Sequence, residues 1–192
     1  LDGTVKAPVN MAGQSNWIVF ARITGLSVSG IGAFDAQGSL AWSQNQCSNR
    51  EKGGQCKFPI TIRFNSITDG TITGISSIDS KLFHINVLGG KNIKFESVKI
   101  IAPATSMNTD GIHISRSDGV HISNSIIATG DDCVSIGGGS SNVNVSGVTC
   151  GPGHGISVGS LGKNKNEEVV NGVTVKNCTF ANTDNGVRVK TW

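Results

Sequence analysis

Six side chains able to move a proton or hold an anion fall at matching places in a repeated pattern: Asp110, Asp131, Asp132, His154, Arg188 and Lys190. They lie on or beside short alternating segments whose first apolar residues are Ile112, Val134, Ile156 and Val187. Counting back two positions from the first three of these gives Asp110, Asp132 and His154, so the spacing predicts that three ionisable groups stack, one per repeat. Asp131 adjoins Asp132, and Arg188 and Lys190 take the outward alternate positions of the segment that starts at Val187. Carboxylates about one strand spacing apart repel when both are ionised, which raises the proton affinity of at least one. An acid poised in this way beside an ionised carboxylate can protonate a glycosidic oxygen while its neighbour aims water at the anomeric carbon. The two cations at an exposed site suit a polymer whose sugars each carry a carboxylate.

Taken singly, every one of these motifs has a plainer reading. Asn108-Thr109-Asp110-Gly111 and Gly130-Asp131-Asp132 are good turn sequences. His154 lies between glycines, where a lone histidine is usually an ordinary loop residue, and Arg188 with Lys190 alone would be a strand edge blunted by charge. Their common phase in the repeat is what points to a site. The other histidines, His84, His113 and His121, share no column in this count and are read as surface or core residues.

Such a column needs elements that recur along an axis. Alternating runs return at Leu26-Ser27-Val28, Ile93-Lys94-Phe95, Val120-His121-Ile122, Val143-Asn144-Val145 and Val173-Thr174-Val175, with Ile72-Thr73-Gly74 as a further member. A second family interleaves with them: Ile85-Asn86-Val87, Ile112-His113-Ile114, Val134-Ser135-Ile136, Ile156-Ser157-Val158 and Val187-Arg188-Val189. Each repeat holds at least two short strands separated by Gly, Asn, Asp and Ser turns, too little to bury its own apolar face, so repeats must stack. The result expected is an all-β chain, a right-handed single-stranded parallel β-helix, with residues 1–192 in one domain. An antiparallel sandwich also has many short strands, but does not explain two interleaved families with matched turns. The longer spacing from Leu161 to Val170 reads as a loop insertion, with Lys163, Lys165, Glu167 and Glu168 solvated.

The bulk composition agrees. Among 192 residues there are 26 glycines and 15% charged residues, which favours short strands and tight turns over long helices. The net charge of +3 is mild and the basic residues form no run, which argues against nucleic acid as a partner. No apolar stretch approaches a membrane span of roughly 18 residues, and no leader pattern opens the chain, so Leu1 is read as the start of a mature or trimmed segment. The five cysteines lack metal-ligand spacing, whereas Cys47 and Cys56 bracket a polar loop that a disulfide could close. That usage points to an oxidising, extracellular compartment. The sequons Asn144-Val145-Ser146 and Asn177-Cys178-Thr179 are glycosylation candidates consistent with secretion. The unpaired fifth thiol is either a core residue or has its partner outside this chain.

Asn108-Thr109-Asp110, Gly130-Asp131-Asp132, Gly153-His154-Gly155 and Arg188-Val189-Lys190 resemble, in order and spacing, the four motifs of polygalacturonases. The similarity extends over nearly the whole chain, including Gly30-Ile31-Gly32, Asp35-Ala36-Gln37-Gly38 and the ending Lys190-Thr191-Trp192, and is greatest to plant, pollen-type members, a group that includes allergens. The resemblance implies hydrolysis of α-1,4 bonds between galacturonate units of pectin with inversion, in the cell wall, by a monomer needing no metal or other cofactor. It implies that Asp131 is the general acid, that Asp110 and Asp132 position and activate the attacking water, and that His154 keeps the acid correctly protonated and oriented. Arg188, Lys190 and Asn108 would bind substrate, and Cys133 and Cys150 would form a disulfide bracing the loop that carries Asp131 and Asp132. The pollen-type wording favours exo action. Val189 replaces the commoner Ile of the fourth motif.

The resemblance departs in one respect: family members usually run several coils beyond the fourth motif and carry a substrate-contacting Tyr there, whereas this chain ends at Trp192 and has no Tyr. The chain is therefore expected to be part of a longer protein, with an open last strand. Two other functions fit the same fold. One is a catalytically silent β-helix that binds pectin or serves as a pollen or cell-wall surface protein. The other is a calcium-dependent pectate lyase that would use the clustered Asp residues as metal ligands.

Overall fold

The structure is a computed structural model that describes residues 1–11, 13–44 and 58–192. Its strands form three parallel sheets wound as a right-handed β-helix of about six turns. Apart from one seven-residue helix, Gly38–Gln44, the regular structure of the described residues is strand. Six coils contribute one strand to each sheet and a last partial coil one strand to each of two sheets, so consecutive strands of a sheet are three strands apart in the chain.

The site sheet contains, in order, Asn16–Ala21, Ile60–Asn65, Ile85–Leu88, Ile112–Ser115, Asp132–Ile136, Gly155–Leu161 and Val187–Thr191. Its inward residues stack in two ladders. Ile62, Ile85, Ile112, Val134 and Ile156 make the first, and Phe64, Val87, Ile114 and Ile136 the second. Each of these is at most 1% exposed. Full burial of one such side chain contributes about 2–3 kcal/mol, which a single coil cannot gain without neighbours above and below.

A second sheet holds the other family of alternating runs, with Ile93, Val120 and Val143 in one inward ladder and Ile72, Phe95, Ile122 and Val145 in the next. Gly70 stands opposite Ile93, where an added Cβ would come 3.1 Å from the Ile93 side chain. The third sheet is built from strands of two or three residues, Thr4–Lys6 through Thr179–Phe180. From Ala33–Asp35 onward each offers one inward residue: Phe34, Ser77, Ile100, Ile127, Cys150 and Phe180 lie in register.

The coils turn corners on single residues with left-handed backbone. After the site sheet these are Arg22, Ser66, Gly89, Arg116 and Gly139, and after the second sheet Gly74, Ser97, Asn124, Gly147 and Asn177. Gly and Asn tolerate this conformation best, and they hold six of these ten corners, with Ser or Arg at the other four. At the inner side of the corners Ser117 and Ser125 accept from the backbone N–H groups of Gly90 and Val98. Buried backbone groups are thereby satisfied without widening the coil.

Candidate active site

Asp110, Asp131 and His154 sit on the corner that leads into the site sheet, Asp132 opens the strand Asp132–Ile136, and Arg188 and Lys190 stand on the outer face of Val187–Thr191. This corner is packed backbone to backbone, which explains its glycines. A Cβ on Gly130 would lie 1.9 Å from the Ser106 carbonyl oxygen, and one on Gly153 would lie 2.6 Å from that of Asp131. Gly153 also has φ of 145°, a conformation other residues rarely adopt. Thr109 ties the layers together, its Oγ1 accepting from the Gly130 N–H at 2.9 Å. Cys133 and Cys150 form a disulfide that fastens the strand after Asp132 to the third sheet.

The expected column forms with one change. Ile112 pairs with Val134, so Asp110 and Asp132 are one coil apart in the same phase. Between Asp132 and Val134, however, the register slips: Asp132 pairs with Gly155, while Val134 pairs with Ile156. His154 is thereby moved off the line of Asp132 and meets Asp131 instead. Its Nδ1 is 3.0 Å from Asp131 Oδ1, and its backbone N–H donates to the Asp131 carbonyl. A β-bulge of this kind re-aims a side chain at a site, and nothing in the residue spacing announces it.

The three carboxyls occupy unlike environments. Asp110 is 6% exposed and its affinity for a proton is pushed up to about 7, chiefly by burial and further by the negative neighbours Asp131 and Asp132. Asp132 is 1% exposed, yet hydrogen bonds from Lys190, Ser157 and Arg188 outweigh its burial and hold it below the usual carboxylate range. Ser157 Oγ donates to its Oδ1 at 2.6 Å, Arg188 Nη2 to the same oxygen at 2.8 Å, and Lys190 Nζ to Oδ2 at 2.7 Å. The side chain of Asp131 is 18% exposed, and its Oδ1 accepts from the Asp132 N–H. Asn108 Nδ2 lies 3.4 Å from Asp131 Oδ2.

Arg188 and Lys190 are thus first of all the counter-ions of Asp132. They carry one positive charge more than that carboxylate neutralises, and with 29% of each side chain exposed they retain donors that face outward.

Two residues outside the counted column belong to the site. Asp184 Oδ2 lies 3.6 Å from His154 Nε2, so the ring stands between two carboxylates. His113, read from the sequence as a surface or core residue, shares the outward row with Ser135, Ser157 and Arg188. Its Nδ1 is 2.7 Å from Ser135 Oγ, which donates to Asp110 Oδ2 at 2.6 Å. The signal was present: His113 holds the alternate position of its segment that Arg188 holds three coils later. Of the others, His84 is buried and His121 exposed.

One ligand atom each from Asp131, Asp132 and His154 lie within 4.8 Å of one another. Both Asp132 oxygens are already engaged by Ser157, Arg188 and Lys190, so a cation there would compete with two positive side chains.

The family model described as Glycosyl hydrolases family 28 matches residues 1–192. The chain belongs to this family. The family 28 chain is 52% identical over 195 residues to an exopolygalacturonase of Platanus acerifolia, and 51% identical over 194 residues to a polygalacturonase of Gossypium barbadense. These alignments take in 100% of this chain but 51% and 47% of the two relatives, so the chain spans about half the length of the curated relatives it matches. Among solved structures, a polygalacturonase from Erwinia carotovora ssp. carotovora superposes with a TM-score of 0.83 at 28% identity, covering 98% of this chain and 56% of its own. An endo-xylogalacturonan hydrolase from Aspergillus tubingensis gives 0.86 at 25% identity, with 98% and 52% covered. The family 28 fold therefore accounts for the whole length of this chain, site corner included.

The remaining sequence motifs lie away from this corner. Asn144 is half-buried in the middle of the strand Ser141–Ser146, whereas Asn177 stands exposed at a corner with φ of 52°. Cys178 is a free, half-buried thiol, and the Cys47 and Cys56 pairing falls outside the described residues.

Proposed function

We propose that this chain carries the catalytic face of an exo-acting polygalacturonate hydrolase that cleaves α-1,4-galacturonosyl bonds with inversion. The observation that carries this reading is the unequal treatment of neighbouring carboxyls. Asp110 is driven toward its protonated form and Asp132 is held ionised by two cations, within one cluster that also contains the more accessible Asp131. Groups whose environments separate their proton affinities are the usual equipment of acid–base catalysis.

Asp131 protonates the leaving O4, with His154 on its Oδ1 holding the carboxyl in place. The bond from C1 to O4 breaks as a water oxygen attacks C1 from the opposite face, and the water proton passes to a carboxylate. Asp110 suits that last step in its ionised form, reached as pH rises through about 7: its raised proton affinity makes that form a strong acceptor, its Oδ2 is engaged by Ser135 and its Oδ1 is left to take the proton. Asp132 orients the water electrostatically. With both oxygens committed to Ser157, Arg188 and Lys190, it is poorly placed to attack carbon itself, which favours single displacement over a covalent route. The outward donors of Arg188 and Lys190 grip the sugar carboxylate, and Asn108 adds an amide at the rim.

Exo action follows the names of several relatives, which are exopolygalacturonases. Extracellular location, in the cell wall, is supported by the disulfide and by the polysaccharide these relatives are named for. No helix of the described residues is long and apolar enough to cross a membrane. The protein is proposed to act as a monomer on pectin without a metal, and of the two sequons Asn177 is the better placed to receive a glycan.

The test is release of reducing ends from polygalacturonate, with Asp131→Asn as the control. Monomeric galacturonate marks exo action, and its first-formed anomer being β marks inversion. Absence of turnover by folded protein would leave the silent pectin-binding reading, and unsaturated products lost on chelation would select the lyase.

A further inference from the structure

Two Ser–Asp units repeat one coil apart in the site. Ser135 Oγ donates to Asp110 Oδ2 and Ser157 Oγ to Asp132 Oδ1, each at 2.6 Å and each across 25 residues of chain. They differ in what stands behind the serine. Arg188 Nε donates to Ser157 Oγ at 2.8 Å, whereas His113 Nδ1 meets Ser135 Oγ at 2.7 Å. One unit is backed by a cation and the other by an imidazole whose ring stacks on Phe83, centroids 4.9 Å apart.

A serine has one hydroxyl hydrogen. When Asp110 is ionised its carboxylate can only accept, so the Ser135 hydrogen points to Oδ2, and the ring nitrogen facing Ser135 must be the donor. We propose that His113 is a positioning residue for Asp110: held as the neutral Nδ1–H tautomer, it locks Ser135 onto Oδ2 and leaves Oδ1 as the one oxygen that takes up the proton. The proposal rests on the reading of Asp110 as the residue that receives the proton of water.

The surroundings keep the ring neutral. Burial, with Lys190 adding to it, lowers the proton affinity of His113 to about 4, against a smaller opposing effect of Asp132. The charged groups acting on Asp110 are Asp131, Asp132 and Lys190. Arg188 reaches Asp132 and Ser157, His154 reaches Asp131 and Asp184, and the His84 ring is turned to Ser77. No other ionisable side chain is bonded to Ser135 among the described residues. The same serine device thus serves two carboxyls in opposite ways: a cation behind it keeps Asp132 ionised, and a neutral donor behind it lets Asp110 titrate while fixing its geometry.

The experiment is nitrogen-15 NMR of the histidine-labelled chain combined with carbon-13 titration of the Asp carboxyls, neither of which requires turnover. His113 is expected as the Nδ1–H tautomer both above and below the Asp110 titration, and His113→Leu should move that titration to higher pH, because the donor that supports the ionised form is weakened. His113→Asn keeps an N–H at the Nδ1 position and should restore the wild-type titration. An Nε2–H tautomer, or an Asp110 titration unmoved in a folded His113→Leu protein, overturns the proposal. In turnover assays on polygalacturonate His113→Leu should lower kcat about 10- to 100-fold with KM little changed, and His113→Asn should recover most of it. If the wild-type chain releases no product, the hydrolase reading fails while the NMR result still decides the role of His113.

Discussion

Lys190 Nζ lies 2.7 Å from Asp132 Oδ2, a contact that joins residues 58 positions apart and two coils distant. It is one of two ion pairs that permit a carboxylate to remain charged at 1% exposure. Removing one partner from such a pair leaves an uncompensated buried charge. Lys190→Met is expected to lower unfolding free energy by about 2 kcal/mol at neutral pH, less than for a fully buried pair because Arg188 remains. Asp132 is held below its ordinary value, so its contribution is present above about pH 4 and lost as pH falls through the folded value. The loss in Lys190→Met should begin at higher pH, and Asp132→Asn in that background should recover part of the stability. Urea titrations of the three proteins at several pH values measure both effects.

Asp110 gives the opposite sign. Its ordinary value of 3.8 is raised to about 7 in the fold, so between these limits the folded chain holds a proton that the unfolded chain does not. Stability therefore falls as pH rises from about 4 to 7, by an amount on the order of 4 kcal/mol. Asp110→Asn should abolish this slope and be the more stable protein at pH 8. A wild-type unfolding free energy that stays flat across that window would count against the burial account of Asp110.

The Cys133–Cys150 disulfide closes a loop with a separation of 17 residues that begins directly after Asp132. Loop closure of this length corresponds to about 3 kcal/mol in the chain-entropy account. The Cys133→Ser, Cys150→Ser double variant is expected to unfold at lower denaturant by that amount. It should also lose turnover under conditions where it is still folded, because the strand after Asp132 is no longer fastened to the third sheet.

Gly130 precedes Asp131 and has no room for a side chain, its would-be Cβ lying 1.9 Å from a backbone oxygen. Gly130→Ala must displace the corner, and is expected to cost about 1–3 kcal/mol and a larger share of activity than of stability. Gly3→Ala is the control: nothing lies within 4 Å of its added Cβ, so its effect should stay within about 0.5 kcal/mol. Melting temperature and turnover of the two variants, compared side by side, check this.

Two of the three sheets were legible in the sequence because their strands alternate over enough residues for a period of two to stand out, as in Ile93-Lys94-Phe95 or Ile112-His113-Ile114. The third was not, because one inward residue per strand makes no period: Ile100, Ile127 and Cys150 are recognisable only once the coils are stacked. The face bearing Asp110, Asp132, Arg188 and Lys190 was readable by counting. The meeting of His154 with Asp131 was not, since the register slip between Asp132 and Val134 leaves no mark in composition. Repulsion among carboxylates was expected to raise one affinity, and one is raised, but burial of Asp110 is the larger cause and burial is a property of the packed corner. That Arg188 and Lys190 would be occupied by Asp132 could not be read from outward alternation alone.

The site draws on consecutive turns of one solenoid, Asp110 on one, Asp132 on the next, Ser157 on the third and Arg188 on the fourth. Distances along this direction are therefore quantised by the hydrogen-bonded rise of a sheet, about 4.8 Å a step. Evolution or engineering cannot stretch such an arrangement smoothly to fit a longer or shorter repeat in the polymer. It can only insert or delete whole turns, or slip a strand by one residue as this chain does beside Asp132, and substrates of a different pitch would call for one of those discrete moves.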